Sequence, residues 1–156
     1  MEITPIEAKD LPKVLEYIMQ EFPYYNVDYE KLSKKHSNPQ YFFLKAIDDG
    51  KVQGFVELEV YEPYKKFARI NGIVIDKNAR GKGIGQTLLQ AAVDLAHEMD
   101  MRLITLLVEK DNSVAKKLYD KVGFSYMMDL ETKVNNKDIE EWEIILRREN
   151  QLMYMQ

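Results

Sequence analysis

Three glycines in five residues, Gly81, Gly83 and Gly85, lie between an apolar run, Ile73-Val74-Ile75, and a stretch of helical periodicity that opens near Ile84. A helix start leaves backbone N–H groups without intrahelical acceptors, and the helix dipole adds partial positive charge there. Together these make a site for a phosphate anion. Glycines allow close backbone approach, and Arg80 and Lys82 add cationic side chains at the same place. The segment Arg80-Gly81-Lys82-Gly83-Ile84-Gly85-Gln86 is therefore a candidate pyrophosphate cradle. Taken alone, it fits tight packing or a generic nucleotide site as well. A P-loop fits poorly, because the Gly-Lys-Ser/Thr ending is absent, and a dinucleotide site would want an acidic residue about 20 positions on at a strand end. Asp100 is near that distance but closes a helix.

Candidates for proton chemistry are spread along the chain. Glu57 and Glu59 share one face of a predicted strand, and either is a candidate general base; the plain alternative is a solvated strand face. The phenols of Tyr24 and Tyr25 are further candidates, whereas Glu109 and Asp111 read equally well as surface charge. His36 and His97 read as surface residues. Phe22, Tyr24, Tyr25 and Tyr126 form a candidate aromatic wall for an acceptor, or ordinary packing. The chain has no cysteine, which excludes a disulfide scaffold, a thiolate zinc site and a cysteine nucleophile. No metal site is expected.

Positioning these residues falls to a mixed α/β pattern. Residues 2 to 7 read as a strand. Asp10 is placed to cap a helix from Leu11 to Glu21, which Pro23 ends. A weaker helix follows at Tyr29 to His36, then a hairpin of Tyr41 to Ile47 and Val52 to Tyr61 around Asp48-Asp49-Gly50-Lys51. In its second strand Val56, Leu58 and Val60 alternate with Phe55, Glu57, Glu59 and Tyr61, which predicts one apolar and one carboxylate-bearing face. A strand at Ala68 to Ile75, a helix from Gly83 to Met99 and a buried strand at Leu103 to Val108 make a βαβ unit. A helix opened by Asn112 or Ser113 runs to about Lys121 and stops at Gly123, and strands follow near Phe124 to Glu131 and Glu141 to Leu146. Trp142 reads as strand packing first and as a homodimer contact second.

The 156 residues suit one domain over residues 1–150, with Gln151 to Gln156 a tail that is disordered or docked on another subunit. Apolar residues make up 46% and charged residues 31%, the balance of an ordinary globular chain rather than a disordered one. The start lacks a basic, then apolar, leader and no run approaches a bilayer span, so a soluble cytoplasmic protein without a membrane partner is expected. A net charge of −4 disfavours nucleic acid and tolerates a cationic partner.

The glycine turn has a companion. About thirty residues on, the chain reads Asn112-Ser113-Val114-Ala115-Lys116-Lys117-Leu118-Tyr119-Asp120-Lys121-Val122-Gly123-Phe124. With Arg80, Gly83 and Gly85 filling Arg/Gln-x-x-Gly-x-Gly/Ala, the sequence resembles the GNAT acetyltransferase family. The resemblance spans roughly residues 1 to 147 and is specific from Ala68 to Phe124. It implies a mixed central sheet with a splayed parallel pair, acetyl-CoA as co-substrate, and N-acetylation of an amine. It also implies that the backbone of Ile73, Val74 and Ile75 holds the pantetheine arm, with Ile73 at the thioester carbonyl. Residues 81 to 86 would hold the pyrophosphate and Asn112 the cofactor arm, and Tyr119 would protonate the departing thiolate. Two positions depart from the pattern, since Arg69 and Leu107 stand where some relatives carry a catalytic Glu. The acceptor is left open among a polyamine, an amino sugar and a peptide amine. The alternative reading is a noncatalytic acyl-CoA-binding or regulatory module of the same fold, which retention of Tyr119 disfavours.

Overall fold

The computed structural model describes residues 1–61 and 66–146. The tail at 151–156 lies outside the described residues. In chain order the elements are β1 (Glu2–Pro5), a 3-10 turn (Ala8–Asp10), α1 (Leu11–Glu21), α2 (Tyr29–Ser37), β2 (Tyr41–Asp48), β3 (Lys51–Tyr61) and β4 (Phe67–Ile75). A second 3-10 turn (Lys77–Ala79), α3 (Ile84–Glu98), β5 (Leu103–Glu109), α4 (Ser113–Val122), β6 (Ser125–Asp129) and β7 (Ile139–Ile145) complete it. The strands form one mixed sheet in the order β1-β2-β3-β4-β5-β7-β6, antiparallel except for the β4–β5 pair. Among the described residues no helix is long and apolar enough to cross a membrane.

Each face of the sheet carries its own core. On one, α3 buries Ile84, Leu88, Leu89, Ala92, Val93 and Ala96 against Val56, Leu58, Val60 and Ile104. On the other, α1 and α2 bury Leu11, Val14, Ile18 and Leu32 against Phe43, Phe55 and Val74. Fully burying one such aliphatic side chain contributes about 1.5–3 kcal/mol, so these two faces account for the sheet's position between its helices. The tight turn of the β2–β3 hairpin holds Asp49 and Gly50 at φ 52 and 73, the conformation that an Asp-Gly pair supplies.

Two expectations change. The two-sided core makes β3 a strand buried on both faces over part of its length: Phe55 and Glu57 are covered by α1 and α2, so Glu57 is not on a solvated face. Asp10 does not cap α1 through its side chain. Its carboxylate accepts from the N–H of Glu7 at 2.7 Å and from Lys45 Nζ at 2.5 Å, in a pair buried at both ends. Burial alone would raise the Asp10 carboxyl, but the Lys45 hydrogen bond, the Glu7 N–H and the charges of Lys45 and Lys9 outweigh it and hold the group below its usual range. Trp142 packs on the larger core and donates its Nε1 to Glu140 at 3.0 Å.

Candidate active site

The site begins where β4 and β5 part. They pair only from Phe67 to Ile70 against Leu103 to Leu106. Beyond that, β4 stays with β3 as far as Ile75 and β5 stays with β7 as far as Glu109. The β5-facing backbone edge of Asn71, Gly72, Ile73, Val74 and Ile75 is therefore left without a strand partner. A register shift sets the divergence: Glu57 faces Gly72 and Leu58 faces Ile70, so Asn71 is the extra residue of a bulge that bends β4. A cavity of about 610 Å³ opens into the wedge.

At the end of β4 the chain enters the glycine turn. Gly81 and Gly83 have φ 80 and 81, a region L side chains rarely adopt, and Gly83 is the N-cap of α3. The carbonyl of Gly83 accepts from both the N–H and the hydroxyl of Thr87, at 3.1 and 3.0 Å. The N–H groups of Ile84, Gly85 and Gln86 are left as the free donors of the first turn. Gly85 serves packing: a Cβ there would meet Leu118 Cδ2 at 3.2 Å and Ile75 Cγ1 at 3.7 Å, so its absence lets α3 close on α4 and β4. Lys82 is exposed. Arg80 turns back to brace the loop, its Nε donating to the Ile75 carbonyl at 3.2 Å and its guanidinium pairing with Glu21 at 2.8 Å.

From the other side of the wedge α4 presents two polar groups. Asn112 caps the helix by accepting from the Ala115 N–H at 3.1 Å through Oδ1, which leaves the amide N–H₂ of this cavity-lining residue available as a donor. Tyr119 is buried, with its ring edge-on to Phe124 at 6.1 Å, and lines the same cavity. Among the described residues its hydroxyl makes no hydrogen bond, and burial pushes the phenol above its ordinary value.

The acceptor side separates the sequence candidates. Glu57 lines the cavity, while Glu59 is outside its lining and is held by Gln40 and Asn71 at 3.0 and 2.9 Å. Phe22, Tyr24 and Tyr25 come together as a wall, with centroids 5.0 to 6.3 Å apart. Phe22 reaches the start of the wedge, since a Cβ on Gly72 would stand 3.7 Å from its Cε2. Burial, then Tyr25 and the Glu109 carboxylate, raises the Tyr24 phenol, which favours its neutral form and makes it a poor base. Tyr126 is not brought here: it is exposed on β6 and donates to Asp129 at 3.1 Å. Arg69 binds Thr105 and Glu141, and Leu107 is half-exposed at the cavity, so neither position supplies a carboxylate. Among the described residues no His, Asp and Glu group of three or more could hold a metal ion.

Sequence reasoning missed Lys35, Asn71, Val134 and Ile139, which also line the cavity. The Asn71-Gly72 pair inside a strand pattern was the available signal for the bulge. The other three depend on tertiary contacts.

A family model described as the Acetyltransferase (GNAT) family matches residues 11–124. A putative phosphinothricin acetyltransferase of Bacillus subtilis is 29% identical over 93 residues, covering 58% of this chain and 56% of the relative. A putative [ribosomal protein bS18]-alanine N-acetyltransferase of the same organism is 34% identical over 86 residues, covering 55% of each. The chain thus spans about half the length of these curated relatives. Among solved structures, a putative acetyltransferase from Salmonella typhimurium with its cofactor acetyl-CoA superposes with a TM-score of 0.83 at 16% identity, covering 94% of both chains. The ribosomal-protein-S18-alanine N-acetyltransferase of Escherichia coli gives 0.79 at 19% identity, again over 94% of both.

Proposed function

The chain belongs to the GNAT acetyltransferase family, and from that premise we propose that it transfers the acetyl group of acetyl-CoA to a primary amine by direct attack in a ternary complex. The observation that carries this reading is the wedge. An unpartnered edge of β4 runs from a helix N-terminus fit for a pyrophosphate to a cavity holding a carboxylate and a phenol. The residues fit acetyl-CoA on three counts: the free N–H groups of the first turn of α3 beside Lys82, the strand edge that a pantetheine arm can pair with, and the amide donor of Asn112.

Acetyl-CoA supplies a thioester carbonyl and a thiolate leaving group. The protein supplies the rest. The edge of β4 at Ile73 donates a backbone N–H toward the carbonyl oxygen, stabilising the charge that develops there in a cavity with an apolar wall. Glu57 takes the proton that an ammonium must lose before its nitrogen can attack, and Glu59, outside the cavity, takes no part. Tyr119, kept neutral by burial, gives its proton to the departing sulfur as the C–S bond breaks, and the second proton shed by the nitrogen as the amide forms returns the phenolate to the phenol. Phe22, Tyr24 and Tyr25 orient the alkyl part of the acceptor. The lining carries Lys31, Lys35 and Arg69 as well as Glu57 and Glu109, so a cationic acceptor would be held locally at Glu57 rather than by the charge of the cavity as a whole.

A thiol-release assay with acetyl-CoA over polyamines, aminoglycosides, amino acids and peptides tests this. Amine-dependent release with at least one class is expected. Binding of acetyl-CoA with no release for any class would replace this reading with a noncatalytic acyl-CoA-binding module.

A further inference from the structure

Glu57 is nearly buried, its side chain 8% exposed, yet it faces the acceptor cavity. A carboxylate in that position requires a cation or several donors, because desolvation without them is costly. The chain provides its own. Lys35, reaching from α2 across 22 positions of sequence, places Nζ 3.3 and 3.2 Å from the two oxygens of Glu57. The same Nζ lies 5.1 Å from the centroid of the Tyr41 ring. Asn71, the bulge residue of β4, donates to the second oxygen at 2.7 Å and fixes the carboxylate where the wedge begins. A primary ammonium is thus already seated at this carboxylate against an aromatic face.

The two partners differ in freedom. Glu57 is fixed on a central strand between β2 and β4, whereas the Lys35 side chain is 37% exposed and belongs to a nine-residue helix at the rim. Lys35 can swing into solvent, where an ammonium is well hydrated, and another ammonium can then replace it at little electrostatic cost.

We propose that Lys35 is an internal placeholder for the substrate. Its ammonium occupies the subsite that Glu57 and Asn71 build at the cavity for the ammonium of the acceptor, and the acceptor binds by displacing it. The inference rests on reading this cavity as an acceptor site and deepens it. It sets the ligand class as a primary alkylammonium, and makes Lys35 a competitor that lowers acceptor affinity. The apparent dissociation constant is the intrinsic one divided by the fraction of molecules with Glu57 free. With Glu57 free about a tenth of the time, removing the Lys35 charge tightens binding about tenfold.

The test uses n-butylammonium as the probe and omits acetyl-CoA, so it stands or falls independently of acetyl transfer. Calorimetry on the wild type, Lys35→Met, Lys35→Gln and Lys35→Met/Glu57→Gln is expected to show about tenfold tighter binding for both single variants. That gain should vanish in the double variant. In the unaltered protein, the side-chain NH₃⁺ resonance of Lys35 should shift toward that of a solvated lysine as the probe is added. Single variants that bind no tighter than wild type, or a Lys35 signal indifferent to saturating probe, would overturn the proposal, and the wild-type signal decides if the variants do not fold.

Discussion

Replacing Tyr119 by Phe removes one oxygen from a buried ring and separates folding from chemistry. The hydroxyl makes no hydrogen bond with the described residues and faces the cavity, while the edge-on contact with Phe124 at 6.1 Å survives in Phe. The stability change should therefore stay within about 0.5 kcal/mol, or about 2 °C in Tm for a domain of this size. Loss of a positioned general acid costs about 10²–10⁴ in rate, equivalent to about 2.7–5.4 kcal/mol of barrier. Burial raises the phenol, so the wild type keeps its acid protonated past the ordinary tyrosine value near 10, and its rate should not fall with pH below that point. The same shift affects stability: the advantage of the neutral buried phenol is present below the unfolded value and is lost as pH rises through the folded one. Rapid-quench single turnover isolates the chemical step, and acetyl-CoA titration checks that binding is intact. A Tyr119→Phe enzyme within about threefold of wild type in that step would refute the assignment.

Glu57→Gln should lower kcat/KM about 100-fold while Glu59→Gln stays within about twofold, because only Glu57 lines the cavity; equal losses in steady-state assays would contradict the choice between them. Gly83→Ala meets no atom within 4 Å but must adopt φ 81, so it should cost about 1–2 kcal/mol and weaken acetyl-CoA about tenfold, read by thermal melts and calorimetry. Lys45→Met strands the Asp10 carboxylate and should cost about 3–5 kcal/mol in urea unfolding. Because the Asp10 carboxyl is depressed in the fold, its contribution is present above about pH 4 and is lost as pH falls through the folded value, so Asp10→Asn should flatten that acid limb.

Local signals made much of the scaffold legible. The bounds of α1, the Asp-Gly turn, the cap at Asn112 or Ser113 and the Gly123 stop each depend on residues within a few positions, and the structure has them as read, with Asn112 as the cap. The glycine turn was legible for the same reason, although only the tertiary structure divides its work between backbone conformation at Gly81 and Gly83 and packing at Gly85. What alternation concealed was the second layer. Strand periodicity put Glu57 on a polar face, but α1 and α2 cover that face, and its partner Lys35 comes from a helix whose docking no short window encodes. Asp10 reads as a cap until Lys45 is found 35 positions away, and Arg80, a candidate phosphate ligand by its place in the turn, also has Glu21 beside it. Each of these is an ion pair across elements, set by tertiary contact rather than by spacing.

In the proposed reaction an acetyl group leaves acetyl-CoA and ends on an amine nitrogen. Acetyl-CoA carrying a ¹³C-labelled carbonyl, incubated with the protein and each amine of the panel, tests it directly by mass spectrometry and NMR of the products. A labelled amide is expected on one class of amine, formed in step with one thiol released per amide. Thiol release without a labelled amide, or an intact thioester with every amine despite tight binding, would contradict it.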